Sequence, residues 1–319
     1  TFYQTIPYKD VRISLTAPES LALQYETPGF TEVKKEIKDK VQSYEWRYAN
    51  TAPSKPDYTN ATIVNFGMQP GFAISTFKSY QQISELYGER AKLKAAVTPR
   101  VTKLADEIVK DVQDKKEQAK LLYTWVATNI KYAGNCIGVG AVVPRELDFI
   151  LDTKMGDCKD HATLLQSLLT AKGIKNTQAL VNASSSNQLP KIPSVAAVNH
   201  VINYISDFDM FIDSTAEVFP FGYLSNSTIG KPVLLVDGYV PDLKIPTKIL
   251  YPVNDKITYD LVLAEDGSAQ GQIEIILTGE GAFQSYKHQS EISTDAEAQY
   301  TKELLKYYQF EGEVKFLHN

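Results

Sequence analysis

Cys158 stands in the run Gly156-Asp157-Cys158-Lys159-Asp160-His161, where a loop gives way to a stretch with helical periodicity. A thiol at the start of a helix faces unpaired backbone N–H groups and the positive end of the helix dipole. Both features favour the thiolate, which is the nucleophilic form of cysteine. The position therefore suits covalent catalysis, although a small buried apolar residue at a helix start would give the same pattern.

His200 and Asp213 lie on two short predicted strands that are separated by a turn. If Ser206 and Asp207 form the tip of this turn, His200 lies directly opposite Asp213 and both side chains share one face. The carboxylate could then accept a hydrogen bond from the imidazole. A register shift of one residue would place the two side chains on opposite faces. A histidine of the core without a chemical role is the alternative, and the pairing with Asp213 argues against it.

Together these three residues supply a nucleophile, a general acid/base and a carboxylate that orients it. The combination is the one required for acyl transfer through a thioester, and it needs no metal and no organic cofactor. The chain order Cys158, His200, Asp213 is consistent with this chemistry. We therefore predict these residues as catalytic, with no cofactor.

The neighbours of Cys158 have simpler interpretations. Asp157 and Asp160 suit a helix N-terminus electrostatically, so we predict that both cap the helix. His161 could join the three predicted catalytic residues as a fourth zinc ligand, but the spacing matches no compact zinc motif. No metal site is therefore predicted.

The second cysteine, Cys136, lies in a Gly-containing loop that precedes Cys158. One interpretation is a loop or buried thiol without a chemical role. The other is a reversible disulfide with Cys158 that would switch the activity off.

The elements that must position these residues follow from hydrophobic periodicity. From Val11 to about Tyr87 apolar and polar residues alternate, which indicates strands. The period then becomes helical, with predicted helix starts at Thr98-Pro99 and at Asp114. A third helix is predicted from near Cys158 to residue 172, and short strands follow it. The long Ser-, Asn- and Pro-rich loop at residues 183 to 197 could close over the site as a lid.

A hairpin and a last helix, capped by Thr294, are predicted beyond Pro241. This order of elements gives an α+β fold in which a central core is flanked by β domains. We predict a β-sandwich-like domain at residues 1–95, an α+β core at 96–238 and a C-terminal β-rich domain with a helix at 239–319.

Composition excludes several classes of protein. The 319 residues carry 33 Lys and Arg against 38 Asp and Glu, so no global excess of cations is present to neutralise nucleic acid phosphates. No apolar run approaches the roughly 18 to 20 residues that span a bilayer. Two cysteines are too few for a disulfide framework. We predict no nucleic acid partner and no transmembrane segment.

Several motifs occur in an order that resembles the bacterial transglutaminase-like superfamily. They are Trp125-Val126, Asn129-Ile130-Lys131-Tyr132, Gly156 to Ala162, Gly173-Ile174, Asn199-His200-Val201 and Ile212-Asp213-Ser214-Thr215. The resemblance implies a papain-like core over residues 98 to 230, with Cys158 as nucleophile, His200 as general acid/base and Asp213 as the orienting carboxylate. The flanks are similar to the subgroup in which the core follows a β domain of unknown function of the DUF3857 type. This similarity implies that residues 1–95 are the later part of a larger domain.

One departure from the family concerns the oxyanion hole. Relatives usually contribute a Trp or Gln side chain, and residues 126 to 157 contain neither. The N–H of Cys158 can supply one donor. Tyr132 is the candidate for the second, and an ordinary core aromatic is the alternative interpretation of that residue.

Two functions agree with this sequence. The first is a hydrolase or acyltransferase that acts on amide bonds of a peptide or protein substrate, with hydrolysis favoured over transamidation. The second is an inactive binding or scaffolding module for an envelope protein or a polysaccharide. The subgroup resemblance further implies a periplasmic, cell-surface or secreted location and a possible cell-envelope partner.

Overall fold

The computed structural model describes residues 2–55, 69–134, 138–184, 186–248, 252–307 and 310–311. The chain divides into two compact units, Thr1–Ile249 and Leu250–Asn319. Helices and antiparallel sheets both contribute, so the predicted α+β fold class is confirmed. The finer boundaries at residues 95 and 238 remain predictions.

The first unit begins with a β module. Three strands pair antiparallel in the order β1-β4-β3, and β2 pairs with β5. Alternate side chains of β4 are buried, among them Tyr44 and the fully buried Trp46, and their rings stack 5.4 Å apart. This alternation is the period-two pattern of the sequence. The strands are β1 (Tyr8–Pro18), β2 (Gln24–Glu26), β3 (Thr31–Lys38), β4 (Val41–Asn50) and β5 (Ala73–Ser75).

A helix, α1 (Tyr80–Lys94), follows this module. The prediction of strands up to about Tyr87 is therefore wrong from residue 80 onward. The signal for the helix is local, because the Ser79 side chain accepts a hydrogen bond from the Gln82 N–H at 3.1 Å and so caps the first turn. Buried residues recur along one side of the helix at 83, 84, 88 and 91, which is helical spacing.

Gly88 lets α1 approach Val236, the residue that directly follows the strand Val233–Leu235. A Cβ at residue 88 would lie 2.8 Å from Val236 Cγ1, closer than packed carbon atoms tolerate. We expect Gly88→Val to lower the free energy of unfolding by about 1–3 kcal/mol, the usual cost of overpacking. Urea denaturation measures this value. Gly281→Val in α6 (Gly279–Glu291) is the matched control, because nothing lies within 4 Å of its added Cβ. An equal loss in both variants would contradict the explanation.

The core of the first unit combines helices with a four-stranded antiparallel sheet in the order β10-β9-β8-β11. Helix α5 packs against β8 and β9, while α2, α3 and α4 pack against α5. The elements are α2 (Pro99–Ile108), α3 (Lys115–Asn129), β6 (Lys131–Tyr132), α4 (Leu147–Thr153), β7 (Met155–Gly156), α5 (Cys158–Ala171), β8 (Asn176–Val181), β9 (His200–Ile205), β10 (Met210–Ile212) and β11 (Val233–Leu235).

Both predicted helix starts in this core are confirmed. The Thr98 side chain accepts a hydrogen bond from the Val101 N–H, with Pro99 at the first helical position. Asp114 accepts from the N–H groups of Lys116 and Glu117. Short side chains with oxygen acceptors thus satisfy N–H groups that have no partner within the helix.

The second unit contains the predicted hairpin, formed by β12 (Lys256–Leu263) and β13 (Ala269–Ile276), and two helices, α6 and α7 (Thr294–Tyr307). Only one of these helices was predicted. The Ser293 hydroxyl accepts the Ala296 N–H at 3.3 Å at the start of α7, while the predicted side-chain cap at Thr294 lies outside the described side chains. Among the described residues, no helix combines the length and the apolar character needed to cross a bilayer.

Candidate active site

Cys158 is the first residue of α5, and a capping box fixes this end of the helix. The Asp157 carboxylate accepts the Asp160 N–H, and the Asp160 carboxylate accepts the Asp157 N–H at 3.0 Å. The prediction that both aspartates cap the helix is confirmed. Because these side chains satisfy the neighbouring N–H groups, the thiol is held at the positive end of the helix dipole.

Gly156 is required by the close packing just before the cysteine. A Cβ at this position would lie 2.8 Å from Asp160 Cβ and 3.4 Å from Ile130 Cγ2. Its carbonyl oxygen accepts the Ala133 N–H at 2.8 Å, as β6 runs parallel to β7. The residue therefore lets the chain turn tightly against α3 and into α5.

Arg145 was not predicted as part of the site. Its Nε and Nη2 lie 2.8 and 2.6 Å from Asp160 Oδ2, and its backbone N–H donates to Oδ1 at 2.8 Å. Burial alone would raise the pKa of the fully buried Asp160 carboxyl, but the hydrogen bonds and charge of Arg145, with the Asp157 N–H, hold it below its ordinary value. Asp160 is therefore an ionised structural anchor as well as a cap.

His200 and Asp213 are brought together, but by a register that differs from the prediction. The observed pairs Ile205↔Met210 and Asn203↔Ile212 place His200 two residues out of line with Asp213. The cause is a longer turn, in which a 3₁₀ segment at Ser206–Phe208 is followed by a left-handed residue, Asp209. A shift of two residues keeps both side chains on the same face.

His200 Nε2 lies 2.7 Å from Asp213 Oδ2, and both side chains are about nine-tenths buried. Nδ1 is therefore the ring nitrogen left to face another group, and the Cys158 thiol lies close enough to this imidazole to contribute to its raised pKa. Strand β9 is tied to α5 as well, because the Asn203 amide donates to the Ala162 carbonyl oxygen at 2.9 Å. The histidine and the cysteine are thus held by two packed elements.

The charges of His200 and Asp213 stabilise each other. Burial alone would lower the pKa of His200, but the charge and hydrogen bond of Asp213, with a further contribution from Cys158, raise it from 6.5 to about 10. Burial opposes ionisation of Asp213 too, yet His200 and Thr215 hold its pKa below the ordinary value. An imidazolium beside a carboxylate is the expected state at neutral pH.

Two residues outside the predicted site orient Asp213. Thr215 donates to Oδ1 from its N–H at 3.0 Å and from its hydroxyl at 2.7 Å. The Tyr123 hydroxyl on α3 lies 3.0 Å from the Asp213 carbonyl oxygen and 3.1 Å from that of Phe219. These contacts fix both the backbone and the carboxylate plane, so that Oδ2 points to His200.

The His200–Asp213 pair should make the free energy of unfolding depend on pH in a variant that lacks the Cys158 thiol. In Cys158→Ala, Asp213 still holds the pKa of His200 above the unfolded value of about 6.5. The folded protein then binds more protons than the unfolded chain above that pH, so the stabilisation is complete below about pH 6.5 and is lost as the pH rises through the folded pKa. We expect the free energy of unfolding of Cys158→Ala, measured with urea, to fall more steeply above about pH 6.5 than that of Cys158→Ala/His200→Gln. Parallel curves would contradict the proposed charge state.

The geometry argues against the zinc alternative. Both ring nitrogens of the fully buried His161 lie 2.9 Å from backbone carbonyl oxygens, those of Asp157 and Ile130. Neither nitrogen is therefore free to bind a metal. Within the part of the chain that the structure describes, no group of three or more His, Cys, Asp or Glu side chains could hold a metal ion.

Tyr132 and Cys136 complete the set of candidate residues. Tyr132 lies on β6 opposite Gly156, and 55% of its surface is exposed. It is therefore not an ordinary core aromatic, and its role as an oxyanion donor remains a prediction. Cys136, and with it the disulfide hypothesis, lies outside the described residues.

Part of the chain matches a known superfamily in sequence. Residues 102–204 match the sequence model of the transglutaminase-like superfamily, a range that includes Cys158 and His200. No curated protein matches the chain. The predicted resemblance to this superfamily is confirmed for the core, while the subgroup with a β domain of unknown function remains a prediction.

Two solved structures align with this chain. A candidate protease from Parabacteroides distasonis aligns at 18% identity and a TM-score of 0.60, over 77% of this chain and 46% of that protein. A candidate cysteine protease from Cytophaga hutchinsonii aligns at 11% identity and a TM-score of 0.30, over 67% of this chain and 70% of that protein. The second similarity is too low to carry an argument. The first shows a shared fold, and this chain spans less than half of that protein's length.

Proposed function

We propose that the protein is a thiol-dependent hydrolase or acyltransferase of amide bonds, with hydrolysis favoured. The observation that carries the proposal is the hydrogen bond between Asp213 Oδ2 and His200 Nε2, 2.7 Å apart, on an imidazole whose pKa the nearby Cys158 thiol also helps to raise. The superfamily match at residues 102–204 supports it, as does the fold shared with the P. distasonis candidate protease.

The reaction would begin with attack of the Cys158 thiolate on the carbonyl carbon of a peptide amide. A C–S bond forms, the C–N bond breaks, and the His200 imidazolium gives its proton to the leaving amine. Water then attacks the thioester while His200 takes its proton: a C–O bond forms, the C–S bond breaks, the carboxylic acid is released, and the Cys158 thiolate is again beside the His200 imidazolium. An amine in place of water would give transamidation through the same intermediate.

The developing oxyanion needs hydrogen-bond donors. The Cys158 N–H at the start of α5 is one, because the first N–H groups of a helix have no partner within it. Tyr132 is our candidate for the second.

The test is a comparison of the parent protein with Cys158→Ala on a defined peptide library that contains a labelled primary amine. New peptide termini, detected by mass spectrometry with the parent and absent with Cys158→Ala, would support hydrolysis. Amine adducts without new termini would support transamidation instead. Equal product patterns in the two proteins would contradict the proposal and favour an inactive binding module.

We further propose an exported location and a peptide or protein substrate at the cell envelope. The support for this proposal is the resemblance of the flanking β regions to one subgroup of the superfamily. Fractionation of cells that express the natural gene tests it: recovery in the cytosolic fraction alone would contradict it.

A further inference from the structure

Helix α1 lies outside the range that matches the superfamily, yet it reaches the candidate active site. Tyr80, Ile83 and Tyr87 recur at positions i, i+3 and i+7 and therefore share one face of the helix. Ile83 is a buried member of an apolar cluster, and Tyr80, Tyr87 and Cys158 are partly buried residues that pack against this cluster. Ser84 and Gly88 lie beside this face and bring the helix close to the sheet.

Three contacts fix α1 relative to the cysteine. The Ser84 hydroxyl donates to the Leu235 carbonyl oxygen on β11. The Tyr87 hydroxyl donates to Gln178 Oε1 on β8 at 2.7 Å. The Gln178 amide in turn donates to Thr163 Oγ1 on α5 at 3.0 Å. The face that carries Tyr80 and Tyr87 is thus part of the same rigid framework as α5.

The loop after β8 supplies a second side to this apolar cluster. The Tyr80 hydroxyl lies 3.0 Å from the Pro190 carbonyl oxygen and 3.2 Å from that of Ile192, which ties the loop to α1. Leu189 and Val198 from this loop pack against the same apolar cluster as Cys158. Since Val198 lies two residues before His200, the loop leads directly into the site.

We propose that Tyr80, Tyr87, Leu189 and Val198 form a substrate subsite beside Cys158. Each of these side chains is only partly buried and so keeps apolar surface that a ligand could cover. The subsite would bind an aliphatic or aromatic side chain on the residue that supplies the scissile carbonyl, because apolar walls favour apolar groups and disfavour unpaired charge. This inference rests on the proposed function, and it names the substrate class of the same site.

Peptidyl acyloxymethyl ketones that carry Leu, Asp or Lys next to the ketone test the inference. Their capture needs no turnover, because the thiolate forms a C–S bond and the acyloxy group leaves as a carboxylate. Each rate of Cys158 labelling is divided by the iodoacetamide rate of the same protein, which corrects for thiolate content. We expect the Leu compound to react about ten- to a hundredfold faster than the other two, the range for burial of one such side chain.

Two variants of the subsite and one control variant test whether these residues cause the preference for the Leu compound. Leu189→Asn and the nearly isosteric Val198→Thr should each lower the ratio of Leu to Lys rates by about tenfold. Leu93→Asn should leave the ratio unchanged, because Leu93 is 78% exposed and lies outside the cluster. The subsite proposal would be overturned if the three compounds reacted at equal rates, or if the Asp or Lys compound reacted faster. The proposed function would still stand in that case, provided that iodoacetamide labels Cys158 rapidly. Slow labelling by every reagent would overturn both.

Discussion

Asp213→Asn is expected to lower the rate of peptide cleavage by about a hundred- to ten-thousandfold at neutral pH. The substitution keeps the size of the side chain but removes the negative charge that, with its hydrogen bond, raises the pKa of His200 to about 10. The imidazolium then loses its partner, and the thiolate loses the cation beside it. The measurement is the cleavage rate of a peptide identified with the parent protein.

The same hairpin offers a control for Asp213→Asn. Asp209 accepts a hydrogen bond from the Tyr204 hydroxyl at 2.7 Å and has a φ of 48°. Asparagine tolerates this backbone region, so Asp209→Asn should leave the cleavage rate within about twofold. Similar losses in the two variants would show that the hairpin, and not the charge at residue 213, matters for activity.

Asp160→Asn is expected to destabilise the protein by about 3–5 kcal/mol, the usual cost of breaking a buried ion pair from one side. The carboxylate is fully buried and receives four hydrogen bonds, three of them from Arg145. An amide cannot accept all four, and the guanidinium would lose its counter-charge. Urea denaturation at neutral pH gives the free energy of unfolding.

An exposed ion pair provides the comparison. Asp148 and Arg100 lie 3.1 Å apart with side chains 66% and 46% exposed. Asp148→Asn should change the free energy of unfolding by less than about 0.5 kcal/mol. A loss for Asp160→Asn no larger than this would mean that the pair with Arg145 does not anchor α5.

The structural features that the sequence predicted depend on local interactions. Thr98, Asp114 and Asp157 cap helices through hydrogen bonds to residues two or three positions away, so the motif is visible in the sequence itself. The pairing of His200 with Asp213 tolerated an error in the turn, because the observed register differs by an even number of residues.

The structural features that the sequence did not predict depend mostly on contacts between segments that are distant in the chain. Arg145 and Asp160 are separated in the chain by α4 and β7, and nothing in the spacing of the two residues indicates the pair. Helix α1 is a partial exception, because its Ser79 cap is a local signal, whereas its packing against β11 and Val236 depends on Ser84 and Gly88 meeting residues far along the chain. Such interactions appear only once the fold brings the segments together.

The central claim is that Cys158 and His200 form an ion pair ready for acyl transfer. The most direct test is the rate of iodoacetamide labelling at Cys158 against pH, in the parent protein and in His200→Ala, with His288→Ala as the control at an exposed histidine. We predict that the parent protein is labelled rapidly at neutral pH, that His200→Ala is labelled at least about tenfold more slowly, and that His288→Ala keeps the parent rate. Labelling that is slow in the parent protein and unchanged in His200→Ala would contradict the claim.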